Sequence, residues 1–151
     1  MSERSVTGGR DGTRRSRRDV LAGLGTVTIA GLAGCAGAGA ANDYDVGMTA
    51  VAFNPPETTI AVGERVVWRN TSSRGHTVTA YDSGIPEDAA FFASGGYDST
   101  AAARDGFMSE FGGIIDSGET WSHTFEVPGT YEYFCIPHEQ AGMVGTVVVE
   151  E

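Results

Sequence analysis

The sequence contains no lysine, and its ten arginines are outnumbered by twenty acidic residues, for a formal net charge of −10. A surface of this kind repels nucleic acid and anionic lipid, so we expect no nucleic-acid partner. Cysteine is scarce as well, with two in 151 residues. The uncharged apolar stretch over residues 22–34 is too short to cross a bilayer. The length allows one domain of ordinary size and an N-terminal extension.

The N-terminal extension has the features of an export signal, because the basic run 14–18 precedes the apolar stretch 22–34. The segment around Arg17 and Arg18 resembles a twin-arginine signal, which directs export of folded proteins and is an address, not an anchor. Residues 32–35 resemble a lipobox, in which cleavage before Cys35 leaves a cysteine that carries a lipid. The alternative is an unlipidated Cys35 that is lost with the cleaved peptide.

The predicted organisation is therefore an export signal over 1–34, a lipid-anchor cysteine with a Gly/Ala-rich flexible tether over 35–43, and a folded domain over 44–151. Cleavage before Cys35 leaves four arginines against seventeen acidic residues, or thirteen net negative charges. Abundant acids without lysine resemble the proteins of extremely halophilic archaea, in which salt screens the self-repulsion. The alternative is an acidic surface with no role in partner binding.

Three potential metal ligands, Cys135, His138 and Met143, lie within nine consecutive residues near the C-terminus. Thiolate and thioether are soft donors that suit copper, and imidazole suits it too, so the set argues against calcium, magnesium or an ordinary zinc site. His76 precedes the alternating residues 77–81 and would supply a second imidazole at the mouth of a strand. We predict a His2Cys plane with Met143 as the axial donor, holding one Cu(I)/Cu(II) ion per chain.

Each of these residues has a simpler explanation when it is taken alone. Cys135 would be a buried thiol, His76 a hydrogen-bonded strand residue and Met143 a filler of the core. The spacing argues for ligands, since one loop at a strand end can turn a cysteine and a histidine three residues apart toward one point. His123 is flanked by alternating strand residues and is predicted to lie on a sheet face. A Cys35–Cys135 disulfide is the alternative use of the two cysteines.

The Cys-x2-His-x4-Met spacing resembles that of the small blue copper proteins, or cupredoxins, as found in plastocyanin, pseudoazurin and halocyanin, and is unlike the shorter amicyanin loop. The resemblance covers about residues 44–150. It implies a Greek-key β-sandwich and a His138 ring edge that reaches the surface through an apolar patch. Thr77 departs from the pattern, because plastocyanins usually have asparagine there. The residues that would supply the patch are Ile136, Pro137, Gly142 and Val144.

The strand signals stand at the two ends of the folded domain. Alternation places Val66 and Trp68 on one face and Val67 and Arg69 on the other, so one face can enter a core. Without βαβ alternation, the pattern favours an all-β fold, an antiparallel β-sandwich. The predicted strands are 44–53, 58–62, 65–70, 120–127, 130–135 and 144–150, with a turn at Pro128-Gly129.

Residues 84–113 are predicted to be a partly helical insertion in the sandwich. Residues 86–93 carry a proline and acids at their start and glycines after their end, which is typical of a short helix. Ser99 would cap a second, weaker helix that Asp105-Gly106 should stop within two turns. We expect the aromatics of the insertion to pack on the sandwich, with a docking surface near the copper as the alternative. These aromatics are Phe91, Phe92, Tyr97, Phe107 and Phe111.

The predicted site favours a one-electron carrier, because no open coordination position with an adjacent acid or base is evident and catalytic metal sites keep one. We therefore expect no enzyme activity and no small-molecule substrate. The expected partners are redox proteins of a membrane electron-transfer chain, met on the outer face of the cytoplasmic membrane. One alternative is a copper-delivery protein, but Met48 and Met108 are too isolated to build a Cu(I) cluster. The other is a multidomain copper enzyme, for which the His-x-His pairs are missing.

Overall fold

Residues 43–151 are described by a computed structural model. The predicted signal, the lipidation site Cys35 and the tether up to residue 42 lie outside the described residues and stay predictions. In the described range, no helix combines the length and the apolar character that a membrane crossing requires.

Two four-stranded sheets make up the frame of residues 43–151. The strands are β1 (Val46–Met48), β2 (Phe53–Asn54), β3 (Glu57–Ala61), β4 (Arg65–Asn70), β5 (Thr79–Ala80), β6 (Thr120–Thr124), β7 (Gly129–Phe134) and β8 (Val144–Glu150). One sheet has the strand order β2-β1-β4-β6 and the other β3-β8-β7-β5.

The predicted all-β sandwich is confirmed, and its sheets are mixed instead of purely antiparallel. β1 runs parallel to β4, and β3 runs parallel to β8, while the other neighbours are antiparallel. Parallel neighbours need a crossover connection. For β1 and β4 the crossover is the excursion of the chain through β3 in the opposite sheet.

The core is built around Trp68 in β4. Val66 and Trp68 are fully buried, whereas Val67 and Arg69 are only half-buried, which confirms the predicted alternation. Burial of one large apolar side chain contributes about 1.5–3 kcal/mol, so this face is a main source of stability. The rings within 5.4–6.4 Å of Trp68 belong to Phe92, Trp121, Phe125 and Tyr133.

The insertion is partly helical as predicted, but residues 86–93 form turns and not a helix. The backbone here bonds to the sandwich: Ala80 N–H donates to the Phe92 carbonyl at 3.0 Å, and Ser94 N–H donates to the Val78 carbonyl at 2.7 Å. Burial of the Phe92 ring in the core therefore overrides the local helix signal.

The helix of the insertion is α1, Thr100–Glu110, whose first turn is capped by Ser99 as predicted. The prediction that Gly106 stops this helix is wrong. Gly106 makes room for a contact, since a Cβ at this position would overlap the Tyr97 hydroxyl. The helix ends instead at Phe111, which adopts the left-handed conformation with φ 54°. Phe111 is 70% exposed, so it does not pack on the sandwich as expected.

Candidate metal centre

His76 lies just before β5, in a segment fixed by backbone pairing. Its N–H donates to the Ile115 carbonyl at 3.2 Å, and Ile115 N–H donates back at 2.7 Å. The imidazole is completely buried. Residues 77–80 are all buried instead of alternating, because the insertion packs against them, as the 3.0 Å hydrogen bond from Val78 N–H to Ser94 Oγ shows. His76 is thus part of the rigid sandwich.

Cys135 and His138 come from the connection between β7 and β8, which contains a 3-10 helix over Ile136–Ala141. Gly142 follows in the left-handed conformation with φ 84° and turns the chain back, as a glycine permits. The two ends of this ligand loop are joined, because Cys135 N–H donates to the Met143 carbonyl at 3.0 Å and Met143 N–H to the His138 carbonyl at 3.2 Å. Met143 is fully buried.

The structure brings three of the predicted ligands together. Cys135 Sγ lies 3.6 Å from His76 Nδ1 and 3.5 Å from His138 Nδ1. All three donor atoms lie within 4.8 Å of one another. A first-row metal bound at about 2.0–2.3 Å separates donors in a plane by roughly 3.5 Å, so the donor atoms fit such an ion. Met143 lies at the end of the same loop, in backbone contact with Cys135 and His138.

Burial sets the protonation states of the three groups. Burial lowers the pKa of His76 to about 4, and the nearby His138 adds to this shift. Burial also lowers the pKa of His138, and the positive charge of Arg74 acts in the same direction. Both imidazoles are therefore neutral near pH 7, as metal ligands must be. Burial raises the pKa of the Cys135 thiol, against the hydrogen bond from the Thr77 backbone. The thiol thus holds its proton until a metal displaces it, and metal binding releases that proton.

Ser72 orients the buried histidine. Its hydroxyl lies 2.8 Å from His76 Nε2, and Nδ1 lies on the side of Cys135. A metal bound at Nδ1 requires the tautomer in which Nε2 donates its proton to this hydroxyl. Ser72 is held by Asn70, whose Oδ1 accepts from the Ser72 backbone N–H at 2.9 Å and from its hydroxyl at 3.0 Å. Sequence reasoning missed Ser72, although a hydroxyl four residues before a candidate ligand was a visible signal.

Thr77 ties the histidine segment to the ligand loop. Its backbone N–H donates to Cys135 Sγ at 3.4 Å, and its Oγ1 accepts from Ile136 N–H at 2.8 Å. Thr77 stands where plastocyanins usually have asparagine, and its side chain is likewise polar and joins the two segments.

His138 is the accessible side of the centre, because its ring is only half-buried. In the predicted apolar patch around it, Pro137, Gly142 and Val144 are exposed, and Ile136 is half-buried. Helix α1 borders this surface. The cleft between them, of about 450 Å³, is lined by Arg104, Met108, Ile136, Pro137, Glu139 and Gln140.

His123 lies on the inner face of β6, among the core aromatics. Its ring stacks on Phe92 at 4.9 Å and follows Trp121 at 6.1 Å. It is not one of the three residues whose donor atoms cluster, in keeping with the predicted sheet-face position.

A model of copper-binding proteins of the plastocyanin/azurin family matches residues 40–150. The chain belongs to this family. Copper is accordingly its cofactor, one ion per chain, and the fold is that of a small blue copper cupredoxin. Members of the family are electron carriers that pass electrons to redox partner proteins.

The relatives of this cupredoxin include plastocyanins of plants and algae. Plastocyanin of Rumex obtusifolius is 34% identical over 101 residues, which cover 67% of this chain and 90% of that protein. The minor chloroplastic isoform of Arabidopsis thaliana is 30% identical over 151 residues, covering 97% and 81%. Among solved structures, a reduced tryptophan-to-tyrosine variant of amicyanin superposes with a TM-score of 0.51 at 26% identity, covering 74% of this chain and 87% of that one.

Proposed function

We propose that the protein is a one-electron carrier whose type 1 copper centre is held by His76, Cys135, His138 and Met143. The observation that carries this assignment is the separation of 3.5 and 3.6 Å between Cys135 Sγ and the two Nδ1 atoms. A trigonal His2Cys set with a weak thioether is acceptable to both oxidation states of copper. Bound copper supplies the one-electron redox chemistry at this centre.

The protein contributes a fixed and dry environment. His76 and Cys135 are fully buried, and their segments are linked by the hydrogen bonds of Thr77 and Ser72. Such a frame limits rearrangement between the two redox states. The carboxylate next to His138, that of Glu139, is bound by Arg104 and Tyr81 and is not one of the groups that cluster with the donor atoms. This supports a carrier and not an enzyme.

Electrons enter and leave through the half-buried His138 edge. The exposed Pro137 and Val144 beside it offer an apolar contact that is easily desolvated. Met108, on the far side of the cleft, is 79% exposed and extends this surface onto helix α1. The partner is a redox protein with a matching apolar patch, and the acidic surface steers partners with basic surfaces.

The visible absorption of the copper-loaded protein tests the assignment. A carrier shows an intense band toward the red from thiolate-to-Cu(II) charge transfer. Cys135→Ser abolishes that band and leaves the far-UV circular dichroism of the sandwich unchanged, because the strands build the core without the metal. A Cys135→Ser variant that stays intensely blue contradicts the ligand assignment. A colourless wild-type protein that binds only Cu(I) supports copper delivery instead.

The proposed place of action is the outer face of the cytoplasmic membrane, with lipid on Cys35 and membrane redox complexes as partners. Support comes from the twin-arginine pattern at Arg17-Arg18, the lipobox-like residues 32–35 and the tether that follows. A single acyl chain holds a protein only marginally, so the anchor requires at least two chains.

The intact mass of the membrane-extracted protein tests the anchor. We expect an N-terminus at Cys35 that carries the mass of a lipid. Cys35→Ala releases a soluble blue protein or leaves uncleaved precursor in the membrane. An unmodified N-terminus downstream of Cys35, on protein from the soluble fraction, rules out the anchor.

A further inference from the structure

Glu139, the residue after the exposed ligand His138, is held by three donor groups from outside the ligand loop. Arg104 Nη1 donates to Oε2 at 2.6 Å, and Nη2 donates to Oε1 at 3.0 Å. The hydroxyl of Tyr81 donates to the same Oε1 at 2.9 Å. Paired bonds from one guanidinium to one carboxylate restrict direction as well as distance. We call Arg104, Tyr81 and Glu139 the loop clamp.

The loop clamp also contacts the other end of the ligand loop. The Arg104 guanidinium lies over the ring of Phe134, 4.5 Å from its centroid. The Tyr81 ring stacks on the same Phe134 ring, with 4.3 Å between the two centroids. Phe134 directly precedes Cys135 in the chain. Arg104 therefore contacts residues on both sides of the segment that contains Cys135 and His138.

Arg104 is itself anchored to the sandwich through the start of helix α1. The Thr100 hydroxyl donates to the Ala80 carbonyl at 2.9 Å and accepts from Asp82 N–H at 3.0 Å. One turn later, Ala103 is buried beside Arg104. The helix is thus fixed to the end of β5, and the loop clamp connects the ligand loop to a rigid sheet.

The middle of the ligand loop has little else to hold it. No residue of the 3-10 helix Ile136–Ala141 is buried. Two hydrogen bonds secure its ends: Ile136 N–H donates to the Thr77 side chain at Oγ1, and Cys135 N–H donates to the Met143 carbonyl. Among the described residues, the side-chain bonds that reach residues 138–141 from another element are those of the loop clamp.

The ion pair is partly exposed, with 40% of the Arg104 and 28% of the Glu139 side chain accessible, so it adds little to global stability. Its effect is on orientation. The Arg104 hydrogen bond lowers the pKa of Glu139, and burial foremost raises the pKa of Tyr81 to about 12.

We propose that Arg104 and Tyr81 are positioning residues of the copper centre, which fix His138 through Glu139 before the metal binds. This inference rests on the proposed ligand set. Its consequence is that the inserted helix, although distant in sequence, controls how readily the ligand loop accepts copper and how far His138 moves between redox states. Support residues of metal ligands typically change affinity 10–100-fold when they are removed.

The test compares Arg104→Met with Arg65→Met. Both remove one positive charge. Arg65, however, is exposed on β4, which is not in the sheet of β5 and β7 that carries the loop clamp and the ligand loop. In the copper-free mature protein, we expect Arg104→Met to speed amide hydrogen exchange at Gly142 and Met143, whose N–H groups bond to Glu139 and His138. We expect copper affinity to fall about tenfold and the reduction potential to shift. Arg65→Met leaves all three unchanged.

Two further variants separate positioning from general packing. Glu139→Gln should give the same changes as Arg104→Met, and the double variant should be no worse than either, because both remove one interaction. Arg104→Lys should restore only part of the copper affinity and exchange protection that Arg104→Met loses, since an ammonium ion cannot form the paired bonds.

If Arg104→Met has the same amide exchange rates and copper affinity as Arg65→Met, the clamp is overturned, even when the wild-type protein is blue. A wild-type protein that is not blue overturns the proposed function instead. The exchange measurement on the copper-free protein still decides the clamp in that case.

Discussion

The two histidines of the centre belong to different kinds of structure. His76 is completely buried, paired through its backbone to Ile115 and hydrogen-bonded through its ring to Ser72. His138 is half-buried on a short 3-10 helix in which no residue is buried. One histidine is therefore a part of the sandwich, whereas the other is carried by a loop that needs external support.

This difference separates two requirements of an electron carrier. A centre that must change little on electron transfer benefits from a ligand fixed by the core. A centre that must exchange electrons with another protein needs an accessible edge. The protein meets the first requirement at His76 and the second at His138, and the loop clamp limits the mobility that exposure would otherwise bring.

Replacing each histidine by glycine should give the largest contrast. Both variants lose the blue band, but added imidazole should restore it only in His138→Gly, where the vacated space opens to solvent. In the copper-free protein, His76→Gly should lower the free energy of unfolding by about 2–4 kcal/mol more than His138→Gly, because it leaves a cavity at a fully buried position. Absorption titrations with imidazole and denaturant unfolding measure the two effects.

The backbone cost of a glycine is similar at both positions, so the difference between the variants reports the environment of the ring. Equal rescue by imidazole at positions 76 and 138 would contradict the distinction between a core ligand and a surface ligand.

An intermediate effect is expected at the axial donor. Met143→Leu nearly conserves volume, so the fold and the bound copper should remain, at a stability cost below about 1.5 kcal/mol. The reduction potential should rise, because a donor that favours Cu(II) is gone. Met108→Leu is the matched control, since this methionine is exposed on α1 and should leave the potential unchanged. A lowered or constant potential in Met143→Leu, measured by protein-film voltammetry, argues against the axial assignment.

The smallest effect is expected from the support of His76. Ser72→Ala removes the partner of Nε2 and should weaken copper binding about tenfold, with about 1 kcal/mol lost from stability. The neighbouring Ser73→Ala is the control, because Ser73 is exposed. Competition with a chelator measures the affinity. Equal affinities for the two variants would show that Asn70 and the backbone alone orient the histidine.

The sandwich and the candidate ligands could be predicted because their signals are local. Val66 and Trp68 alternate with half-buried neighbours, and Cys135 and His138 stand three residues apart where a strand ends. A hydrogen-bonding role for the residue after His76 could be anticipated in the same way, since Thr77 adjoins a ligand in the chain.

Apart from its helix capped by Ser99, the course of the insertion could not be predicted, because it depends on contacts between distant residues. Phe92 leaves a helix-like segment to join the core around Trp68, at a ring distance of 6.3 Å. Gly106 looks like a helix stop until the Tyr97 ring is seen to occupy the space of its missing side chain. Arg104 meets Glu139 across 35 positions of sequence, and neither residue has a local pattern that signals the pair.

Ser94 and Gly113, which bound the longer part of the insertion, lie side by side. The Ser94 hydroxyl donates to the Gly113 carbonyl at 2.6 Å, while Ala93 pairs with Thr79 in β5 and Ile115 pairs with His76 just before β5. A segment whose two ends lie side by side can gain or lose residues without displacing the strands that flank it. In an evolving lineage, the stretch between Ser94 and Gly113 can therefore change in length without distorting the strands, as long as Arg104 stays in place to hold the ligand loop.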